Sequence, residues 1–280
     1  MSAPGTPRQR YNVVIPTRFG MMIVNRNDSS GQGEARFGVG HELLETGAYM
    51  PGEFAGLDNL LALCAPDPVI LDIGANIGVH TLYFSEIAGP RGKVLAFEAQ
   101  RIVFQMLMGN LALNSIENAY GHCTALGSAP GVLKLPPVDY GRPWNFGGMS
   151  LTAEAGDPQF APGTPERAAA ERNESIPVIT LDSLSLERVD FIKLDVEGME
   201  EDVLRGAART LDIARPLMQV EWMARDRGRL PLYLLDHLDY RLFQAGNNLI
   251  CVPAERSGDL TIHGLPEMRT ADVKLAFNLP

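Results

Sequence analysis

The sequence predicts an α/β fold: a mostly parallel sheet with helices on both faces and an antiparallel hairpin near its C-terminal end. Three observations predict it. From Val69 onward, short apolar runs alternate with helix-period segments through short connections, the pattern of parallel strands joined by crossover helices. A glycine turn, Gly74 to Gly78, separates the first of those strands from its helix. Further on, "YRLFQ" (240–244) and "NNLICVP" (247–253) flank Ala245-Gly246, two apolar runs joined by a tight turn.

The elements follow in order. "FGMMIVN" (19–25) reads as a strand and "RNDSSGQGE" (26–34) as a turn-rich loop. "EFAGLDNLLALCAP" (53–66) sets Leu57, Leu60, Leu61 and Cys64 at helical spacing, with Pro66 and Pro68 as stops. "VILDI" is a strand, and "IGVHTLYFSEIAG" is a helix closed by Gly89-Pro90. "KVLAFEA" (93–99) is the second strand, "RIVFQMLMGNLALN" (101–114) the second helix and "NAYGHCTALG" (118–127) the third strand. After a gap come the strand "VDFIKLDVEG" (189–198), one amphipathic helix over 199–211 and the strand "LMQVEW" (217–222). The segment 153–174 is rich in Pro, Gly, Ala and charge, so a mobile surface insertion is expected there. Residues 1–55 are expected to form a lid or cap on a domain spanning 56–280.

Composition narrows the function. The chain has 280 residues, 45% of them hydrophobic, enough for a sizeable core. Its 24 basic and 34 acidic residues leave a net charge of -10 without a basic run, so a nucleic-acid partner is not expected. Cys64, Cys123 and Cys251 lie far apart, with no metal-knuckle spacing, which points to a reducing compartment. No leader-like apolar core opens the sequence, and no run reaches the length of a membrane span. A cytoplasmic protein with no membrane partner is expected; the sequence leaves monomer and homodimer both open.

In open parallel sheets, ligands sit at the carboxyl ends of the strands. Here those ends carry Asp72, Glu98, Asp195 with Glu197, and Glu221. Any one acid reads more readily as a cap or a solvated turn than as a site residue; four strands ending this way point to a site. The turn Gly-Ala-Asn-Ile-Gly departs from the GxGxxG of dinucleotide sites, and Asp72 beside it would repel a pyrophosphate. A ligand with positive charge at this end fits better, and S-adenosylmethionine is one. Asp72 would orient its cationic methionine end, Gly74 and Gly78 would let the backbone approach it, and Glu98 would accept from both ribose hydroxyls.

The stretches "VILDIGANIGVHTLYFSEIAGPRGKVLAFEAQR", "VDFIKLDVEGMEEDVLRGA" and "RPLMQVEW" resemble the FkbM-type family of S-adenosylmethionine-dependent methyltransferases, over roughly residues 69 to 253. The resemblance implies a seven-stranded, mostly parallel, Rossmann-like methyltransferase sheet. It also implies O-methylation of a hydroxyl on a small-molecule, sugar, peptide or polyketide acceptor. The family's cofactor positions carry over to Asp72, Gly74, Asn76, Gly78, Thr81 and Glu98, and Ala125 is placed with them. Ala99 departs from the family, which commonly has proline after the glutamate.

"KLDVEG" is the candidate chemical centre. Asp195 is expected to face the reacting methyl, with Glu197 near the following helix and Glu221 beside the acceptor. Glu197 reads alternatively as a helix N-terminal acid, and Lys193 as the neutraliser of a neighbouring acid. His80 reads as a packing residue or a site-lining catalytic one, and His41 as an exposed lid residue. "GRPWNFGGMSL" (141–151) suits an acceptor loop, although Trp144 and Phe146 equally suit a core. No metal is assigned. The rival readings are metal-assisted transfer through Asp195, Glu197 and Glu221, a non-catalytic S-adenosylmethionine-binding module, and a dinucleotide oxidoreductase.

Overall fold

The computed structural model describes residues 10–31, 36–135, 138–150, 174–223, 226–256 and 265–277. The insertion expected at 153–174 lies outside these residues except for Glu174, which opens a strand.

The central sheet is built from β3 (Val69–Ile73), β4 (Lys93–Phe97), β5 (Ala119–His122), β9 (Phe191–Leu194), β10 (Leu217–Glu221), β11 (Tyr240–Ala245), β12 (Asn248–Pro253) and β13 (Glu267–Met268). Their spatial order is β13-β11-β12-β10-β9-β3-β4-β5. The pairs from β10 to β5 are parallel, while β12 runs antiparallel to both β10 and β11. The sheet thus has eight strands where seven were expected, because the short β13 adds antiparallel to β11. The expected hairpin is present in register, with Ala245 opposite Asn248.

Alternation along each strand divides the core. Ile70, Val94, Phe191 and Leu217 face one side, with α3 (Val79–Ala88) and α4 (Arg101–Leu113). Leu71, Leu95, Ile192 and Met218 face the other, with α5 (Glu200–Arg205) and α6 (Ala208–Ala214). Helices therefore cover both faces, as the near-continuous apolar strands require. The single helix expected over 199–211 breaks at Gly206. The Asp182 carboxylate accepts from the backbone N–H of Arg209 and Thr210, starting α6 afresh.

The third strand also divides. β5 ends at His122, and β6 (Ala125–Leu126) joins β7 (Gly131–Leu135) and β8 (Glu174–Ile179) in a separate sheet of order β6-β8-β7. A hairpin of β1 (Asn12–Thr17) and β2 (Gly20–Asn25) lies on α4. Asn110 of α4 and Asn114, just past its end, reach its main chain, accepting from Ile23 N–H at 2.5 Å and Met21 N–H at 2.9 Å. Met22 and Val24 enter the same core as Phe54 and Leu57 of α2 (Pro51–Leu61). The expected boundary at 55/56 falls inside α2. No helix among the described residues is long and apolar enough to cross a membrane.

Candidate active site

The chain reverses its order beside β3, with β4 on one flank and β9 on the other, where open α/β sheets form a ligand crevice. A cavity of about 430 Å³ lies there, within the size range of small-molecule sites. Of the residues singled out in the sequence, Gly74, Asn76, His80, Glu98, Ala99, Ala125, Lys193, Asp195, Glu197 and Glu221 line it.

Asp72, Gly78 and Thr81 do not line it. Asp72 is 0% exposed, and its Oδ2 accepts from the Thr81 hydroxyl at 2.5 Å. Lys193 Nζ lies 3.9 Å from Asp72 Oδ1, across the β3–β9 register that pairs the two residues. Asp72 therefore stands behind the turn, hydrogen-bonded to Thr81 and close to Lys193. The protein's own packing also requires the glycines. Gly74 has φ +80, and a Cβ there would fall on the Asp195 carbonyl oxygen; Gly78 has φ +92, and a Cβ would strike Leu107. Both fold the turn against the protein itself.

That turn is pinned to the end of β4. The Gly74 and Ala75 N–H groups donate to the Phe97 carbonyl at 3.0 and 2.9 Å. Glu98 then accepts from Asn76 N–H at 2.9 Å and from Gln100 N–H at 2.7 Å, one on each oxygen. Burial pushes the Glu98 carboxyl up to about 7, against those two donors. A carboxylate has lone pairs beyond these two bonds, so it can still accept from a ligand diol.

Lys193 stands between the turn and the opposite wall. Its Nζ donates to the Gly74 carbonyl at 3.0 Å and lies 3.2 Å from Asp195 Oδ2. Burial disfavours its charge, but Asp195, Asp72 and Glu53 outweigh that and raise its pKa. The neutralising role read for Lys193 is what the geometry provides. Beyond it, carboxylate oxygens of Asp195, Glu197 and Glu221 lie within 4.8 Å of one another. Glu221 is pushed up to about 9, first by burial and then by the charges of Asp195, Glu197 and Glu200. Like charges this close need a proton or a cation among them.

The N-terminal segment supplies two wall residues, Tyr49 and Glu53, that sequence reasoning did not single out. Tyr49 and Glu53 line the cavity beside His80. His80 is buried, stacked on Phe54 with centroids 4.9 Å apart, and its Nε2 lies 3.3 Å from Glu53 Oε1. His41 is half-buried in α1 (Val39–Thr46) and does not line the cavity. Glu53 reads locally as a first-turn acid of α2, and nothing in its own stretch indicates a partner 27 residues away.

In the 141–150 loop, Phe146 is core and Trp144 half-buried, while Asn145, Gly147, Gly148 and Met149 line the cavity. The buried Asp28 ties this loop to the N-terminal segment. Its Oδ1 accepts from Phe146 N–H at 3.0 Å and its Oδ2 from Gly40 N–H at 2.8 Å.

This sheet order, with the cavity at its reversal point, defines an α/β methyltransferase-like fold. The chain belongs to the FkbM methyltransferase family: residues 72–249 match the family's "Methyltransferase FkbM domain". It is 31% identical over 158 residues to Methyltransferase sdnD of Sordaria araneosa, covering 50% of this chain and 60% of that protein. It is 29% identical over 156 residues to Hexuronic acid methyltransferase AglP of Haloferax volcanii, covering 54% of this chain and 55% of that one. The alignments thus span little more than half the length of these relatives. The crystal structure of the Methyltransferase FkbM from Methylobacillus flagellatus KT aligns with a TM-score of 0.44 and 20% identity, over 68% of this chain and 44% of that one.

Proposed function

We propose that this protein transfers the methyl group of S-adenosylmethionine to an acceptor hydroxyl. The observation that carries the reading is Glu98: a carboxylate held by two backbone N–H groups, at the end of the second parallel strand, on the wall of the cavity. That arrangement suits a ribose diol. Asp195 lies opposite on the same cavity, where its charge suits a cationic centre. Gly74, Asn76 and Ala125 complete the cofactor side, and Asp72, Gly78 and Thr81 hold the turn from behind.

When bound, S-adenosylmethionine supplies an electrophilic methyl group. The chain's own residues position the acceptor oxygen and receive its proton. Glu197, Glu221 and His80 line the acceptor side with Asp195. The relative AglP is named a hexuronic acid methyltransferase, so a hexuronic acid hydroxyl is the first acceptor to try, beside other sugar, peptide and polyketide hydroxyls. The test incubates the protein with S-adenosylmethionine and this panel and reads S-adenosylhomocysteine release and product mass. Where Asp195 is the base or a metal ligand, Asp195→Asn lowers turnover by on the order of 10²-fold or more. Cofactor bound without methyl transfer to any class of acceptor would favour the non-catalytic module.

A second reading rests on the proximity of the Asp195, Glu197 and Glu221 oxygens. An all-carboxylate set suits a hard, oxygen-preferring cation such as Mg²⁺, which would favour the ionised acceptor. Activity lost to a chelator and restored by Mg²⁺ supports that reading; activity indifferent to chelator removes it.

A further inference from the structure

Three features at or behind the cavity wall are not used by the account above: Glu53, Gln219 and the burial of His80 beside Phe54. α2 docks on α3 through aromatic contacts. Phe54 stacks on His80 at 19° between planes and meets Tyr83 edge-on, while the Tyr83 hydroxyl donates to Asp58 at 2.5 Å. This docking brings Glu53, at the start of α2, against β10. There the Gln219 amide donates to Glu53 Oε1 at 2.5 Å. The same oxygen faces the buried His80 Nε2 at 3.3 Å, short of hydrogen-bond alignment, and Nε2 has no other hydrogen-bond partner among the described residues. Three distant stretches of chain thus converge on one carboxylate.

The His80 and Glu53 side chains are 10% and 12% exposed, and both line the cavity with Tyr49, Lys193 and Asp195. Tyr49 approaches the imidazole edge-on at 6.2 Å. Burial alone would raise the Glu53 carboxyl. The contact with His80, followed by Lys193 and the Gln219 amide, outweighs it and holds Glu53 below the usual range. An imidazole nitrogen facing a carboxylate is the one that carries the proton, which leaves the other nitrogen with the lone pair. Of the alternative bases, Asp195 is ion-paired with Lys193, and Glu221 stands against the carboxylates of Asp195 and Glu197.

We propose that Glu53 is a positioning residue: it fixes His80 with the proton on Nε2, so that Nδ1 is the base for the acceptor hydroxyl. The inference rests on the methyl-transfer reading. In that step the acceptor O–H bond breaks and its proton passes to Nδ1. The oxygen bonds the methyl carbon, and the electron pair of the broken carbon–sulfur bond stays on sulfur. The imidazolium so formed lies against the Glu53 anion, and Gln219 keeps that anion in place.

The test is nitrogen NMR of the full chain, labelled on its histidines and free of cofactor, above neutral pH. His80→Gln assigns the ring among the five histidines. The expected wild-type result is an Nε2–H tautomer, lost to a mixture in Glu53→Ala and retained in Glu53→Gln, whose amide oxygen can still accept. An Nδ1–H tautomer or an averaged mixture in the wild type overturns the proposal, so it stands or falls even where Glu53→Ala does not fold. A second measurement uses any panel hydroxyl that the wild type methylates: Glu53→Gln lowers kcat at least about tenfold with KM unchanged. Equal loss in kcat and gain in KM, or no loss, overturns the catalytic half. Absence of methyl transfer by the wild type would count against the methyl-transfer reading instead, and leaves the tautomer result to decide the positioning.

Discussion

Lys193 places its ammonium 3.2 Å from the Asp195 carboxylate, from a side chain only 5% exposed. Asp72 lies on the far side of the same ammonium at 3.9 Å. One cation thus serves both the acid that supports the glycine turn and the acid on the cavity wall. Replacing it with Met leaves two acids facing each other with no counter-charge, one of them fully buried. Lys193→Met is expected to destabilise the fold by about 3 kcal/mol or more, read by urea unfolding. Paired replacement with Asp72→Asn recovers part of the loss, because the buried charge is removed with its partner.

Asp28 holds two walls of the cavity at once. In Asp28→Ala, the Gly40 and Phe146 N–H groups lose their acceptor inside the protein. Each buried donor left unpaired costs about 1–3 kcal/mol. Hydrogen exchange is expected to show faster opening of α1 and of residues 145–150, with β3 and β4 unchanged. Uniform loss of protection would mean that Asp28 supports the whole fold and not these walls.

Stability should depend on pH through Glu221 and Glu98. Both carboxyls are raised in the folded state, to about 9 and about 7, chiefly by burial. The folded chain then binds protons more tightly than the unfolded chain between the ordinary carboxyl range and those values. Stability is full below that range and falls as pH rises toward 9. Thermal unfolding midpoints of the cofactor-free protein should therefore decline from pH 5 to pH 9. Glu221→Gln should flatten the curve above pH 7, and a bound divalent cation should do the same. A wild-type midpoint that rises over this interval contradicts the assigned shifts.

Much of the central sheet was legible because its signals are local. "VILDI", "KVLAF" and "FIKL" are apolar runs with turn residues after them, and each became a strand. Glu98 and Asp195 could be placed on the cavity because strand ends in a parallel sheet share one edge. What failed depended on contacts distant in sequence. Pro16 interrupts "NVVIPT", yet the segment pairs with β2 along its whole length, since a two-stranded sheet tolerates proline. β6 is two residues long and exists by pairing with β8, about 50 residues onward. That Asp72 lies close to Lys193 and that a Cβ at Gly78 would strike Leu107 could not be read from the motif, since both partners are distant in sequence. Glu53 joined the site because Phe54 stacks on His80 and Gln219 reaches across from β10, contacts that no local pattern records.

The central claim is that this cavity holds S-adenosylmethionine with Glu98 on its ribose. Calorimetric titration of S-adenosylhomocysteine into the wild type and Glu98→Gln tests it most directly. The amide cannot serve the Asn76 and Gln100 N–H groups on both arms while also accepting from a diol, a loss of about 1–3 kcal/mol. The account predicts one saturable site per chain in the wild type and roughly tenfold or greater weakening in Glu98→Gln. No binding by the wild type, equal affinity in the variant, or tight binding of NAD in its place would contradict it.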